Sequence, residues 1–165
     1  MNIGKRHFLQ SGFVQQIYDL VRLAQIQPHK LKLEVTESIL AENMQRSIQV
    51  LKDLSEIGVG VALDDFGTGY SSLKHLNELP LEQLKIDISF IANLDDTLNN
   101  SGDIVQSIMA IAEHMNFRVV AEGVETERQF EQLIEYGCHA FQGFLFDEPV
   151  PLNQLEKLAH DLSGE

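Results

Sequence analysis

The chain has 165 residues, of which 44% are hydrophobic and 22% are charged, a composition typical of one globular domain. Its formal net charge of −13 excludes a surface that binds DNA, RNA or anionic lipid through a general positive field. Cys138 is the one cysteine, which excludes an internal disulfide, and no apolar run is as long as a membrane span. We therefore expect a cytoplasmic domain without direct membrane contact, even within a membrane-tethered parent protein.

Short apolar runs alternate with segments of helical spacing along the whole chain. The predicted strands lie at 1–4, 31–35, 59–63, 84–88, 117–121 and 140–146. The predicted helices lie at 13–24, 48–57, from Ser72 to before Pro80, at 104–115, 127–136 and 151–162, with a polar loop at 93–103. Six such repeats without a linker require parallel strands joined by right-handed crossovers.

Two architectures fit this alternation. A doubly wound sheet binds its ligand at one switch point, whereas a (β/α)₈ barrel gathers polar residues from the carboxyl ends of most strands. Nearly every predicted strand has polar side chains within it or directly after it: Asn2, Glu34, Asp64, Asp65, Lys85, Asp87, Glu122, Glu125 and Gln142. This pattern favours a TIM-type barrel. Because such a barrel has about 250 residues, we expect one domain over 1–165 that holds about six units and lacks its first strands.

The stretch at 58–73 contains the strongest local signal. Its apolar strand at 59–63 is followed by Asp64 and Asp65, then by a glycine-containing loop and the N-cap residues Ser71 and Ser72. Adjacent acids repel each other, so a site that holds both needs a cation, a basic partner or open water. A solvated loop is the alternative interpretation of this pair alone.

The residues that follow the strands form a hard oxygen-donor set. An asparagine and several carboxylates suit Mg²⁺ or Mn²⁺ rather than zinc. Their number exceeds the need of one ion, and two metal ions about 4 Å apart are a recurrent means of activating water and holding a phosphodiester. Lys85 adds a positive charge that would offset the negative charge that develops on the phosphate group during attack. The six histidines lie away from the strand ends, so no Ser-His-Asp arrangement competes.

Several motifs, in this order and spacing, resemble those of the EAL-type cyclic di-GMP phosphodiesterases. They are MNIG at 1–4, LEVTES at 33–38, DDFGTGYSSL at 64–73, LKID at 84–87, VVAEGVET at 119–126 and QGFLF at 142–146. The resemblance extends from the first residue to about Pro151. It implies metal-dependent hydrolysis of cyclic di-GMP to a linear dinucleotide.

The resemblance also implies a role for each matching residue. Asn2, Glu34 and Asp64 would bind metal, and Asp65, Asp87 and Glu122 would serve the second metal ion or the attacking water. Lys85 would contact water and phosphate, so Lys85, Glu122 and Asp65 are the predicted catalytic residues. Glu125 and Gln142 would line the substrate pocket. Glu37 would hold the loop at 66–70 by accepting hydrogen bonds.

The sequence also departs from the family pattern. The Glu-Ala-Leu tripeptide and the arginine after it, which supply a metal ligand and a substrate contact, are not in the 165 residues, and Ile88 replaces a usual basic residue. Three hypotheses stay open: part of an active phosphodiesterase, an inactive module that binds nucleotide or a protein partner, and a remnant without function. The resemblance further implies a homodimer through the face near the 66–70 loop. A parent protein could carry an upstream sensory or diguanylate cyclase domain.

Overall fold

The fold is described by a computed structural model over residues 1–69, 76–94 and 99–155. Five parallel strands form one sheet whose spatial order follows the chain. They are β1 (Lys32–Thr36), β2 (Gly60–Phe66), β3 (Gln83–Ile86), β4 (Arg118–Glu122) and β5 (Phe141–Gln142). A sixth position is added beside β1, where Asn2 forms a parallel bridge with Glu34. These six positions match the six predicted units.

Helices connect the strands and cover one face of the sheet. They are α1 (Lys5–Phe8), α2 (Phe13–Leu23), α3 (Glu37–Glu42), α4 (Met44–Glu56), α5 (Ile88–Ala92), α6 (Ser101–His114) and α7 (Glu127–Glu135), with a 3-10 turn at Pro28–Lys30. In the part of the chain that is described, no helix has the length and apolar character needed to cross a membrane.

The hydrophobic core lies between the helices and one face of the sheet. Because successive side chains on a strand point to opposite faces, alternate residues of each strand enter this core. They include Leu33, Val35, Val61, Leu63, Leu84, Ile86 and Ala121, all at most 1% exposed. The helices contribute Val50, Leu51 and Leu54 from α4 and Val105, Ile108 and Ala112 from α6. The other face of the sheet is therefore left for polar residues.

Some predicted element bounds were wrong. β2 continues through Asp64 and Asp65 to Phe66 instead of ending at position 63. Ile88 begins α5 rather than ending a strand, because the side chain of Asp87 accepts a hydrogen bond from the Ser89 amide and caps that helix.

The last predicted strand is also shorter than expected. β5 stops at Gln142, because Gly143 lies so close to the backbone of Val124 that no Cβ would fit. The chain then turns, and the amide of Leu145 donates to the Val124 carbonyl oxygen at 3.0 Å. Sequence patterns also gave no sign of α3, which starts directly after β1.

Other predictions were confirmed or lie partly outside the described residues. The helices predicted at 13–24, 104–115 and 127–136 correspond to α2, α6 and α7. Residues 72–75, half of the helix predicted from Ser72, and residues 95–98 of the loop predicted at 93–103 lie outside the described residues. Residues 152–155 are helical, and the rest of the predicted last helix lies beyond the described chain.

Candidate active site

Strand register places the predicted site residues on the polar face of the sheet. Parallel partners point their side chains to the same face, as do residues two apart on one strand. Asn2 pairs with Glu34, and Glu34 pairs with Ala62, two residues before Asp64. The first three strand positions therefore present these polar side chains together.

The same alternation continues across the other half of the sheet. Lys85 on β3 pairs with Val120, which lies two residues before Glu122 on β4. Glu122 in turn pairs with Gln142 on β5. Since the strands are parallel, their carboxyl ends meet at one edge, and the side chains converge there.

A β-bulge brings two consecutive acids into this site. The register between β2 and β3 shifts between Leu63 and Phe66, and Asp65 has a left-handed backbone conformation with φ of 55°. In a regular strand Asp64 and Asp65 would point to opposite faces. Instead, carboxylate oxygens of Asp64, Asp65 and Glu122 all lie within 4.8 Å of one another.

Lys85 lies at the centre of the carboxylates. Its Nζ is 3.2 Å from Glu34 Oε2, 3.2 Å from Asp64 Oδ1 and 2.5 Å from Glu122 Oε1, so it contacts acids from three other strands. The lysine is only 5% exposed. Although Asp64 Oδ1 is near the ammonium group, it is buried and its geometry gives it no hydrogen bond. That oxygen is therefore available to a further ligand.

Burial and charge shift the pKa values of three groups at this site. Burial would lower the pKa of Lys85, but the hydrogen bond to Glu122 and the negative charges of Glu122 and Asp64 raise it above its ordinary value of 10.5. Burial raises the pKa of Glu122 above 4.5, and the charges of Asp64 and Glu34 add to this effect while Lys85 opposes it. Burial, with the charges of Asp64 and Asp87, likewise raises the pKa of Asp65 above 3.8.

Negative charge is crowded at this site. Five carboxylates face one ammonium group: Glu34, Asp64, Asp65, Asp87 and Glu122 against Lys85. An excess of negative charge in a partly buried site requires bound protons or cations. Oxygen-only donors, the close carboxylates and the unbonded Asp64 Oδ1 all fit a hard divalent cation.

The other predicted residues lie at the exposed rim of the site or, in the case of Glu37, beneath one of its loops. Asp87 is near enough to Asp65 to share a hydrogen bond with it, and Glu125 and Gln142 are exposed at the ends of β4 and β5. Asn2 is exposed beside Glu34. Glu37 is 5% exposed and its Oε1 accepts from the Gly67 amide at 2.9 Å, which places it under the loop that follows Asp65.

Sequence reasoning missed Gln129, which is 6% exposed behind the site. Its side chain accepts hydrogen bonds from the amides of Glu125 and Thr126 at 2.9 and 3.1 Å. The pattern Thr126-x-x-Gln129 is a capping box at the start of α7, which was a visible signal. By contrast, a cleft of about 1030 Å³ lined by Phe117, Tyr136 and others lies at the opposite end of β4 and contains none of the predicted site residues.

Comparisons with known proteins agree with this geometry. The EAL domain model matches residues 1–149. The bifunctional diguanylate cyclase/cyclic di-GMP phosphodiesterase MucR of Pseudomonas aeruginosa is 42% identical over 155 residues, which are 94% of this chain and 22% of that protein. The chain thus spans about a fifth of the length of this relative.

Solved structures show the same fold. The PaMucR phosphodiesterase in complex with c-di-GMP matches with a TM-score of 0.90 at 42% identity, covering 93% of this chain and 62% of that one. Klebsiella pneumoniae BlrP1 with manganese and cy-diGMP matches with a TM-score of 0.81 at 32% identity, covering 90% and 38%. The chain belongs to the EAL domain family, because the family model matches most of its length. The parallel strands and the converging carboxylates agree with this assignment.

Proposed function

We propose that this chain carries the metal-binding and phosphate-binding residues of a phosphodiesterase that hydrolyses cyclic di-GMP to linear pGpG. The observation that supports this most directly is the contact of Lys85 with Glu34, Asp64 and Glu122 at the carboxyl ends of neighbouring strands. A buried cation among acids is the arrangement expected where a phosphate and its counter-ions must bind together. The MucR and BlrP1 structures hold cyclic di-GMP, the substrate in this proposal.

The proposed cofactor is Mg²⁺ or Mn²⁺, with two ions bound. Asn2, Glu34 and Asp64 would hold one ion, and Asp65, Asp87 and Glu122 would hold the second or orient the attacking water. When bound, such ions lower the pKa of a water molecule and offset charge on the phosphate. BlrP1 with manganese gives precedent for the metal in a relative.

The side chains of the chain itself would share the remaining work. Lys85 would place its positive charge beside the phosphate oxygens, where charge increases during attack. Glu122, whose pKa is raised by burial, is better suited than an ordinary glutamate to take a proton from water. Glu125 and Gln142 at the exposed rim would contact the nucleotide. Glu37 would keep the loop after Asp65 in place.

A matched pair of variants tests this proposal. We expect Asp64→Asn to weaken Mn²⁺ binding by the chain at least tenfold and to slow cyclic di-GMP hydrolysis at least a hundredfold, on the order of 3 kcal/mol, because a charged ligand is lost. Hydrolysis is measured in a fusion of this chain to the part of the MucR phosphodiesterase domain that precedes the matched region. Asp19→Asn on the exposed surface of α2, where Asp19 bonds only Gln15 among the hydrogen bonds described, is the control.

The result also separates the proposal from its alternative. An Asp64→Asn variant that still binds Mn²⁺ and hydrolyses the dinucleotide like the control would remove Asp64 from the site. A wild-type fusion that binds the nucleotide but forms no pGpG, with either metal in excess, would instead favour an inactive module for nucleotide or protein binding.

We also propose that the domain forms a homodimer through the face near the 66–70 loop and that its parent protein carries a sensory or diguanylate cyclase domain. MucR, a bifunctional cyclase and phosphodiesterase, is one such multidomain relative. A symmetric dimer is the commonest oligomer, and this loop is bonded to Asp65, because the Thr68 hydroxyl donates to the Asp65 carbonyl oxygen at 2.8 Å. Light scattering at tens of micromolar should give twice the monomer mass, and a fully active monomer would contradict the dimer.

A further inference from the structure

Helix α5 lies between the loops that follow two acid-bearing strands: the loop after β2, and the loop at 123–126 after β4, here called the Glu122 loop. Its first residue, Ile88, packs onto Gly123, which follows Glu122 and has φ of 72°. Phe90 of the same helix packs onto Gly67, which follows the Asp64–Asp65 bulge. At both glycines the helix side chains occupy the space that a Cβ would need. The position of α5 is therefore coupled to both loops.

Helix α5 also fixes a fourth acid. Asp87 immediately precedes the helix, and its Oδ1 accepts from the Ser89 amide at 2.9 Å. Ile91 is fully buried, so the helix is held on its core side. A shift of α5 would move Asp87 and, through Gly123, the loop of Glu122. The distance between these two carboxylates consequently depends on how α5 is attached to that loop.

Gln129 makes this attachment with both ends of its side-chain amide. Its Oε1 accepts from the amides of Glu125 and Thr126 at 2.9 and 3.1 Å, which holds the end of the Glu122 loop. Its Nε2 donates to the Ile91 carbonyl oxygen at 3.2 Å, a bond between residues 38 positions apart. The amide is nine-tenths buried, so water would not readily replace these bonds.

We propose that Gln129 is a positioning residue of the metal site, because it links the Glu122 loop to helix α5 and so sets Glu122 relative to Asp87. This rests on the proposed metal site. Gln129 does not touch the metal or the substrate in this account; it acts through the backbone of Glu125, Thr126 and Ile91. Partners that orient metal ligands in this way typically contribute tenfold to a hundredfold in metal affinity.

The capping role and the linking role of Gln129 can be separated by substitution. Gln129→Glu keeps an oxygen for the amides of Glu125 and Thr126 and keeps the capping box, but it loses the N–H that binds Ile91. The new negative charge would by itself strengthen cation binding. Weaker metal binding by this variant therefore cannot come from the attraction of the new charge for the cation or from loss of the helix cap. It reports the broken link to Ile91, where a carboxylate oxygen would repel the carbonyl oxygen.

The probe is Mn²⁺ alone, titrated into the 165-residue chain by calorimetry, with the melting temperature of the metal-free chain measured in parallel. We expect Gln129→Glu to weaken Mn²⁺ binding about tenfold. Gln129→Leu removes the accepted and the donated hydrogen bonds without adding a charge, so it should weaken Mn²⁺ binding at least as much. This variant replaces Gln129→Glu in the titration if Gln129→Glu does not fold. The control is Gln132→Leu. Gln132 lies about one turn after Gln129 on α7, and the substitution removes the hydrogen bond that Gln132 donates to Tyr136 Oη.

Each outcome decides between the two proposals. Mn²⁺ affinity within twofold of wild type for Gln129→Glu or a folded Gln129→Leu, with Asp64→Asn defective, overturns the positioning role and leaves the metal site intact. Equal weakening by Gln132→Leu also overturns it, because the loss would then reflect general destabilisation of α7. Undiminished Mn²⁺ binding by Asp64→Asn overturns both proposals.

Discussion

Lys85 combines two properties that usually exclude each other, burial and full charge. Isolated buried ammonium groups lose their proton, yet Glu122 and Asp64, which contact Lys85, raise its pKa despite the cost of burial. The residue thus acts as a counter-ion for Glu34, Asp64 and Glu122 in the metal-free protein. In the proposed reaction the same charge would meet the phosphate.

We predict that Lys85→Met destabilises the metal-free chain by about 3–5 kcal/mol at pH 7, because the acids lose their buried partner. Urea unfolding measures this, and saturating Mn²⁺ should reduce the difference by supplying positive charge. Lys32→Met is the matched control, since Lys32 and Glu82 form a more exposed pair at 3.5 Å that should contribute below about 1 kcal/mol.

The pH dependence of this effect follows from the raised pKa of Lys85. The folded protein holds the lysine proton more tightly than the unfolded chain, so the stabilisation is complete below pH 10.5 and is lost only as pH rises through the higher folded value. At the acidic end the difference should shrink as Glu122, whose pKa is raised above 4.5, takes up a proton. Equal stability of Lys85→Met and Lys32→Met at pH 7 would contradict this account.

At the scale of elements, the alternation of strands and helices was predictable because it depends on local periodicity. Six parallel positions in chain order were confirmed. The convergence of Glu34, Asp64 and Glu122 also followed from sequence, since parallel strands place their carboxyl ends at one edge. The family resemblance added the roles of these residues, which geometry alone does not assign.

What could not be predicted depends on contacts between distant segments. The bulge at Asp64 and Asp65 arises because Leu63 pairs with Leu84 and Phe66 pairs with Ile86, so that β2 has one more residue than β3 between these pairs. The sequence of β2 alone does not contain this pairing. Similarly, Leu84, Ile86 and Ile88 alternate as in a strand, but Asp87 caps a helix. The Thr126–Gln129 capping box is visible in the sequence, whereas its bond to the Ile91 carbonyl requires the packed structure.

At the scale of the whole molecule, the described sheet has two edges. Asn2 pairs only with β1, and β5 pairs only with β4, among the residues described. Large apolar side chains are exposed on elements next to both edges, among them Leu20, Leu23, Phe144 and Leu152 at 57–82%. Because free edges and exposed apolar surface favour fraying or pairing with other chains, the geometry of the carboxylates depends on what lies against these edges.

We predict that the fusion to the preceding part of the MucR phosphodiesterase domain hydrolyses cyclic di-GMP at least a hundredfold faster than the 165-residue chain alone. The chain covers 62% of the PaMucR phosphodiesterase, and the resemblance places a further metal-binding glutamate and a substrate-binding arginine outside it. Loss of one such group commonly costs a few kcal/mol at a preorganised site. Formation of pGpG is followed for both proteins with Mn²⁺ and Mg²⁺ each in excess, and the fusion carrying Asp64→Asn reports the background from the MucR part. Comparable rates for the chain and the fusion would mean that Asn2, Glu34, Asp64, Lys85 and Glu122 suffice on this scaffold and that the added glutamate is dispensable.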